Sequence, residues 1–475
     1  MPPPVKVPLS IKLGYGFGSV AYGIKDNGFA VFLLFYYNQV VGLDASLVGT
    51  ALLIALLADA LYDPIVGQLS DSTRTRIGKR HPWLYAAALP ITISWLMLWH
   101  PPEMSNGAAF FYVLTVAIFV RVSMSSYEVP SLAMMPELTS DPHERTNIMR
   151  FRFLFGWGGG LVMMALAFAI FLSPTAQYTD GQLNPAGYSQ YAILGALVML
   201  ISVLVAAFMT HKPIVSAYHD KGSAADKNGG FGEIIKSFTY PPFARLLLVS
   251  FFAYTNQGII FALTLYLFRH VWELDQVAFF IYSLCLFFGV VIAFVSVGPV
   301  SKKLGKPHAA ALFMLISLAF GSLPYWSRLL GIFPDNDSTL MMPMLFSFLV
   351  AGTGFGISAI ILAMSMMADI SDMYQEDTGK KSEGLFSAGM FFMQKLVGGI
   401  GLFLASSIIA IVGLPDGAQS GTVAPDIVAN LNLYYVTITT IIALLTALAF
   451  SRLTIRYPAQ TKAPPTAFSI AKEAS

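Results

Sequence analysis

Charge is scarce in this chain. Only 11% of its 475 residues are Asp, Glu, Lys or Arg, while 56% are hydrophobic. A soluble domain carries roughly 25% charged residues, so an ordinary water-facing surface is excluded and the chain reads as an integral membrane protein. Transmembrane strands run about ten residues with polar–apolar alternation. That alternation is missing, which leaves helices. Cysteine is scarcer still: Cys285 is the one thiol and lies in an apolar run, so neither a disulfide frame nor a CxxC metal site is available. There is no GxxxxGK[ST] phosphate loop, no HExxH, no GxSxG and no Cys/His cluster. Direct drive by ATP and the common hydrolytic chemistries have no seat, so neither an enzyme nor an organic cofactor is expected. A net charge of +2 gives no footing for nucleic acid. The start, Met1-Pro-Pro-Pro-Val-Lys6-Val-Pro8, lacks the charged-then-apolar pattern of a cleaved leader.

The apolar runs recur with short polar breaks. At roughly 20 residues per span plus loops, the length allows about twelve spanning helices. They are expected near 11–42, 45–70, 83–100, 107–137, 143–173, 188–210, 233–269, 276–300, 307–330, 340–372, 382–413 and 428–453. Lys and Arg gather in alternate breaks: Arg74, Arg76, Lys79 and Arg80; Arg145 and Arg150; Lys212, Lys221, Lys227 and Lys236; Lys302, Lys303 and Lys306; Lys380 and Lys381; and Arg452, Arg456, Lys462 and Lys472. The other breaks hold almost none. Basic loops stay cytoplasmic, so both termini are expected inside the cell (inner) membrane and the number of spans is even.

One long polar stretch, 211–232, reads as a flexible cytoplasmic linker. It separates 1–210 from 233–453, each a six-helix bundle, with 454–475 as a cytoplasmic tail. The halves share an echo: Gly67-Gln-Leu-Ser-Asp71 to Gly78-Lys-Arg80 follows the second helix, and Gly298-Pro-Val-Ser-Lys302 to Gly305-Lys-Pro307 follows the eighth. Basic hairpins at matching places suggest parallel repeats of the major facilitator type.

Against this apolar background two aspartates stand out. Asp59 and Asp63 lie four residues apart in Ala51-Leu-Leu-Ile-Ala-Leu-Leu-Ala-Asp59-Ala-Leu-Tyr-Asp63-Pro64, so a helix puts both on one face. A carboxylate in the bilayer core costs about 3 kcal/mol on insertion scales, and the pair reads as an ion or proton site. Carboxylates suit a hard cation such as Na+. Two close carboxylates do not both ionise cheaply without a cation, which makes them competent for H+ too. Pro64 and the following loop make Asp63 the shallower of the two. Lys25 and Asp26 are adjacent and point about 100° apart, so no mutual pair is expected. Ser125 and Glu128 share a helix face, with Arg121 one turn before Ser125; a local Arg121–Glu128 or Arg152–Glu128 pair is the alternative to a functional role for Glu128. Arg152 is deeper than Arg150. Lys395 lies too deep to snorkel and must pair or line water.

These residues carry a resemblance. Tyr15-Gly-Phe-Gly18, Tyr36-Tyr-Asn-Gln-Val-Val-Gly-Leu43, Asp59-Ala-Leu-Tyr-Asp63-Pro-Ile-Val-Gly67, Thr73-Arg-Thr-Arg-Ile-Gly-Lys-Arg-His-Pro-Trp83, Glu128-Val-Pro130, Arg150-Phe-Arg152, Ala368-Asp369 and Gln394-Lys395 make the chain similar, over nearly its whole length, to the glycoside–pentoside–hexuronide:cation symporter family. The resemblance implies an all-α, twelve-helix major facilitator fold in two six-helix bundles and uptake of a sugar, glycoside or related small solute coupled to Na+ or H+, by a monomer in the lipid bilayer. It places Asp59, Asp63 and Ser125 at the cation, and Asp59 and Asp63 at the metal if that cation is Na+. It places Asp26, Glu128, Arg152, Lys395 and Tyr22 at the solute. Asp71, Arg74, Arg76, Lys79 and Arg80 match the cytoplasmic hairpin whose charges latch the two halves, with Asp369 flanking a similar latch. Tyr62 stands where the family's best-known member has an asparagine, and Leu132 where it has a sugar-stacking tryptophan. The resemblance extends to sodium-linked lysolipid carriers, so an amphiphilic cargo is the alternative.

Overall fold

The fold is a computed structural model that describes residues 7–139, 142–221, 238–379 and 383–455. The regular elements of the described residues are all helical, joined by loops, with one isolated bridge, Thr75 to Gly78, and no strand. The first helix, α1, is built in pieces: Leu9–Phe17, Ser19–Asn27, a π turn Gly28–Phe32, Leu33–Phe35 and a second π turn Tyr36–Val40. There follow α2 (Ala45–Ser72), α3 (His81–Leu98), α4 (Asn106–Ala133), a one-turn helix Met135–Leu138, α5 (Pro142–Leu166, extended by a π turn Ala167–Phe171) and α6 (Pro185–Lys221). Then come α7 (Pro241–Tyr266, extended by a π turn Leu267–Val271), α8 (Gln276–Leu304), α9 (Lys306–Leu329), α10 (Met341–Thr378), α11 (Glu383–Val412) and α12 (Pro425–Ser451). Ten of the described helices are long and apolar enough to cross a membrane. The pieced α1 and α3, which opens on His81-Pro82-Trp83, are outside that number.

Three boundaries differ from the sequence expectation: α7 begins at Pro241, after a turn at 239–240, where a start at 233 was expected, and two helices run on further. Helix α6 runs on to Lys221, through Pro213, instead of ending at 210. Its extension is held by a buried Ile214 and by His211, whose Nδ1 lies 3.0 Å from the Tyr85 hydroxyl on α3. Helix α10 continues to Thr378, where Gly379 at φ 71° ends it. The expected linker beyond 221 up to 232, and the tail from 456, lie outside the described residues.

One corner occurs twice. The π turn Tyr36–Val40 is followed by Gly42 at φ 83°, a bond from Leu43 N to Tyr37 O of 2.9 Å, and Asp44 capping α2 through Ser46 N. The π turn Leu267–Val271 is followed by Glu273 at φ 47°, a bond from Leu274 N to Phe268 O of 2.9 Å, and Asp275 capping α8 through Ala278 N. The hairpins of the sequence echo match as well, Gly78 and Gly305 both taking a left-handed conformation (φ 87° and 77°) just before Lys79-Arg80 and Lys306.

Small residues let the helices approach. A Cβ on Gly23 of α1 would overlap the Gly156 carbonyl oxygen of α5, and one on Gly49 of α2 would overlap the Ser406 hydroxyl of α11. Helix α11 is gripped on its other side by α7, where a Cβ on Gly401 would meet the Thr255 carbonyl oxygen. Helices α1–α6 and α7–α12 are therefore joined along α2–α11. Side chains also zip them at one end: Asn38 donates to Asp416 at 2.9 Å, Arg269 pairs with Asp180 at 2.6 Å, and Gln276 donates to Phe168 O at 3.0 Å. At the end bearing the basic hairpins the described ion pairs stay within one set, Arg80 with Asp71 and Lys306 with Asp369.

Candidate functional site

Asp59 and Asp63 project from α2 toward α4 and α11, as their spacing requires. Asp59 is the deeper, with 2% of its side chain exposed against 26% for Asp63. Ser125 Oγ, on α4, donates to Asp59 Oδ1 at 2.6 Å. One turn earlier on α4, Arg121 Nη1 reaches Asp59 Oδ2 at 3.3 Å. Its guanidinium lies 4.4 Å from the centre of the Phe29 ring on α1, a cation–π contact that fixes its direction. From α11, Lys395 Nζ lies 2.6 Å from Asp63 Oδ2, 3.1 Å from Asp59 Oδ2 and 3.4 Å from Ser125 Oγ. Asp63 Oδ1 is buried with no hydrogen-bond partner. Among the described residues no group of three His, Cys, Asp or Glu side chains could hold a metal. The oxygen donors here are two carboxylates and a hydroxyl, the donor types that suit a hard cation.

Lys395, expected as a coupling charge or a solute ligand, meets the two carboxylates of α2. It does so because Gly399 and Gly49 bring α11 against Leu53, Leu56 and the rest of α2 just where Lys395 projects. Arg121 was weighed in sequence as a partner of Glu128; it turns instead to Asp59. Tyr62 points to α4, its hydroxyl 3.2 Å from Ser126 Oγ.

A second cluster lies on the same helix, α4, one turn further on. Glu128 Oε1 and Arg152 Nη2 of α5 pair at 2.6 Å, realising the local pairing weighed in sequence. Arg152 Nη1 also donates to Ser131 Oγ at 2.8 Å, and its guanidinium lies over the ring of Tyr15 on α1 at 5.2 Å. The Tyr15 hydroxyl donates to Ser131 O at 2.8 Å. Glu128 Oε2 is buried and unpartnered. The sequence reading missed Tyr15 as a member of this cluster, since nothing in the spacing of a helix-1 tyrosine points to an arginine on α5.

On α1, Lys25 is buried beneath Tyr22, its Nζ 4.3 Å from the ring centre. Contrary to expectation it also meets its neighbour, Asp26 Oδ1, at 3.7 Å; the long lysine stem bends back across the angle between adjacent positions. Asp26 keeps 61% of its side chain exposed, leaving most of its acceptor capacity free.

In the hairpin after α2, Arg80 pairs with Asp71, donates to Ser70 Oγ at 2.8 Å and reaches Glu137 at 3.6 Å. These partners all lie in the first half, so in this structure Arg80 and Asp71 clamp α2 to the one-turn helix that follows α4. Burial pushes the Glu137 carboxyl above its ordinary range, and Arg80 pulls against it. Arg74 and Arg76 are exposed and Lys79 is half-buried, with no ion pair among the described residues. Asp369 likewise serves its own half, pairing with Lys306 at 2.6 Å.

Comparison with known proteins agrees with this architecture. The family model described as MFS/sugar transport protein matches residues 14–457. The isoprimeverose transporter of Lactiplantibacillus pentosus is 26% identical over 418 residues, 87% of this chain and 83% of that protein. The putative glycoside/cation symporter YagG of Escherichia coli K12 is 25% identical over 423 residues, 87% of this chain and 85% of that one. Among solved structures, the xylose transporter XylE of E. coli in its inward-open conformation superposes with a TM-score of 0.61 at 14% identity, covering 95% of this chain and 97% of that one. The nucleoside transporter NupG gives 0.63 at 13% identity, covering 94% and 99%. The helical build, the repeated corner and the match along the chain agree: it belongs to the MFS/sugar transport protein family, as a glycoside–pentoside–hexuronide:cation symporter-type member of the major facilitator superfamily.

Proposed function

We propose that this chain is a cation-coupled secondary symporter of a sugar, glycoside or related small solute, driven by Na+ or H+ and working by alternating access. The observation that carries this reading is the pair of buried Asp59 and half-buried Asp63, with Ser125, at the junction of α2, α4 and α11. Helices α1–α12 act as twelve spans in two six-helix bundles, joined across the segment after α6, with the basic hairpins and both ends of the chain on the cytoplasmic side of the inner membrane. The zipped end then faces outward and the molecule is inward-facing. Asp59, Asp63 and Ser125 bind the cation. Asp26, Glu128, Arg152 and Tyr22 receive the solute: an exposed carboxylate accepts two sugar hydroxyls, and a buried carboxylate–guanidinium pair offers both acceptor and donor edges. Cation and solute move the carrier only by binding its inward- and outward-open states unequally.

The reading is tested by thermal melting of the purified protein across a panel of glycosides, pentoses and uronides, each with Na+, Li+ or low pH, and by uptake of the solute that stabilises most. A cation-dependent rise in melting temperature for one sugar class, with accumulation in vesicles under an imposed gradient, is the expected result. Stabilisation by lysolipids and by no sugar would replace the cargo.

A further inference from the structure

The site proposed above for the coupling cation already holds a positive charge. Lys395 Nζ contacts the same three oxygen donors: Asp59 Oδ2 at 3.1 Å, Asp63 Oδ2 at 2.6 Å and Ser125 Oγ at 3.4 Å. We infer that Lys395 is a tethered occupant of the cation site, and that a free monovalent cation binds by displacing its ammonium. This rests on the symporter reading, since it concerns how the same site fills.

Charge balance requires an exchange. Asp59 and Asp63 face Arg121 and Lys395, so the cluster is neutral as it stands. A further cation added beside the ammonium leaves one uncompensated positive charge in the membrane interior, which is strongly disfavoured. Exchanging one unit charge for another keeps the balance at the carboxylates while the evicted ammonium turns to the open side on which Lys395 is already 21% exposed, which selects a monovalent ion over a divalent one. Of the two resident cations only Lys395 is free to leave. Arg121 is 6% exposed, and its planar guanidinium lies against the Phe29 ring with Nη1 on Asp59. Lys395 is 21% exposed on a flexible four-carbon stem.

The exchange has a mechanical consequence. Lys395 belongs to α11 and the carboxylates to α2, so its ion pairs are bonds between the two halves of the molecule. A cation that evicts the ammonium removes them. A cation held by α2 and α4 alone leaves α11 free to part from α2, whereas the empty carrier stays bridged. Lys395 thus couples occupancy of the site to the relation between the halves.

The test is Na+ affinity, read from the Na+ dependence of melting temperature, in the unaltered protein and in Lys395→Gln. Without the tethered competitor, Lys395→Gln should bind Na+ at least tenfold more tightly, and Lys395→Arg should gain nothing. A second variant removes doubt about folding: Lys395→Cys in a Cys285→Ser background is measured before and after modification with aminoethyl methanethiosulfonate, which restores a tethered ammonium on the same folded preparation. Modification should weaken Na+ binding at least tenfold, and the neutral methyl reagent should not. Equal or weaker Na+ binding in Lys395→Gln, or no effect of the ammonium reagent, overturns the inference. Solute uptake by the unaltered protein is scored separately: its failure sinks the symporter reading, while working uptake with unchanged Na+ affinity sinks only the tethered lysine.

Discussion

Asp59 and Asp63 are four residues apart and bear unequal loads. Asp59 has Ser125 on one oxygen and two cations on the other, buried Arg121 and half-buried Lys395. Asp63 has Lys395 alone and a quarter of its surface in the open. Removing the charge at Asp59 leaves Arg121 without a carboxylate in the protein interior, and breaking a buried pair from one side costs about 3–5 kcal/mol. Asp59→Asn should therefore abolish concentrative uptake and also lower the melting temperature markedly. Asp63→Asn leaves Lys395 on Asp59 and should abolish accumulation while the melting temperature stays within a few degrees. Melting curves and uptake on both variants check this; a larger stability loss at Asp63 than at Asp59 would contradict the geometry. The same logic applies to Arg152, whose removal strands Glu128. Arg152→Ala should destabilise by about 3 kcal/mol, and Glu128→Gln by less, because a neutral amide still accepts from the guanidinium.

Between elements, the seam α2–α11 sets where the site forms. Gly49 faces Ser406 so closely that a Cβ has no room, and overpacking a tight contact costs typically 1–3 kcal/mol. Gly49→Ala should reduce uptake and stability, and adding Ser406→Gly should recover both, since it empties the space the methyl needs. A double variant no better than the single would place the cost elsewhere. This seam also separates what was legible in the sequence from what was not. The spans were legible because charge is so rare that each polar break is a boundary; α2, α8 and α11 lie within a few residues of expectation. That Asp59 and Asp63 share a face was legible because i, i+4 spacing on one helix is a local fact, whereas Ser125 on another helix was suggested by the family resemblance alone. The destination of Lys395 was not: Lys395 and Asp63 are 332 residues apart in sequence and meet along a glycine-lined seam that no periodicity announces. The extension of α6 to Lys221 was hidden because Lys, Pro and His at 211–213 read as a linker, while Tyr85 on another helix supplies the partner that holds His211.

Across the whole molecule, the zipped end follows from the repeated corner. Asn38 and Arg269 are each the third residue of the π turn that closes the first helix of its half. Each reaches the loop before the last helix of the opposite half, Asn38 to Asp416 before α12 and Arg269 to Asp180 before α6. Gln39 and Arg269 also converge on Ala418, Gln39 Oε1 accepting from its N at 3.2 Å and Arg269 Nη2 donating to its O at 2.8 Å, so the two locks share one loop. Locks that share a loop open together. With Cys285→Ser as background, Asn38→Cys and Asp416→Cys should cross-link under mild oxidation, stop uptake, and release it on reduction. Adding Arg269→Ala removes a charge-assisted contact of about 1.5–3 kcal/mol, so the closed-to-open ratio at this end falls at least tenfold and cross-linking should slow, by up to that factor. An unchanged rate would mean that each lock holds its own half of the doorway, and that the repeat has duplicated the corner without linking its two copies.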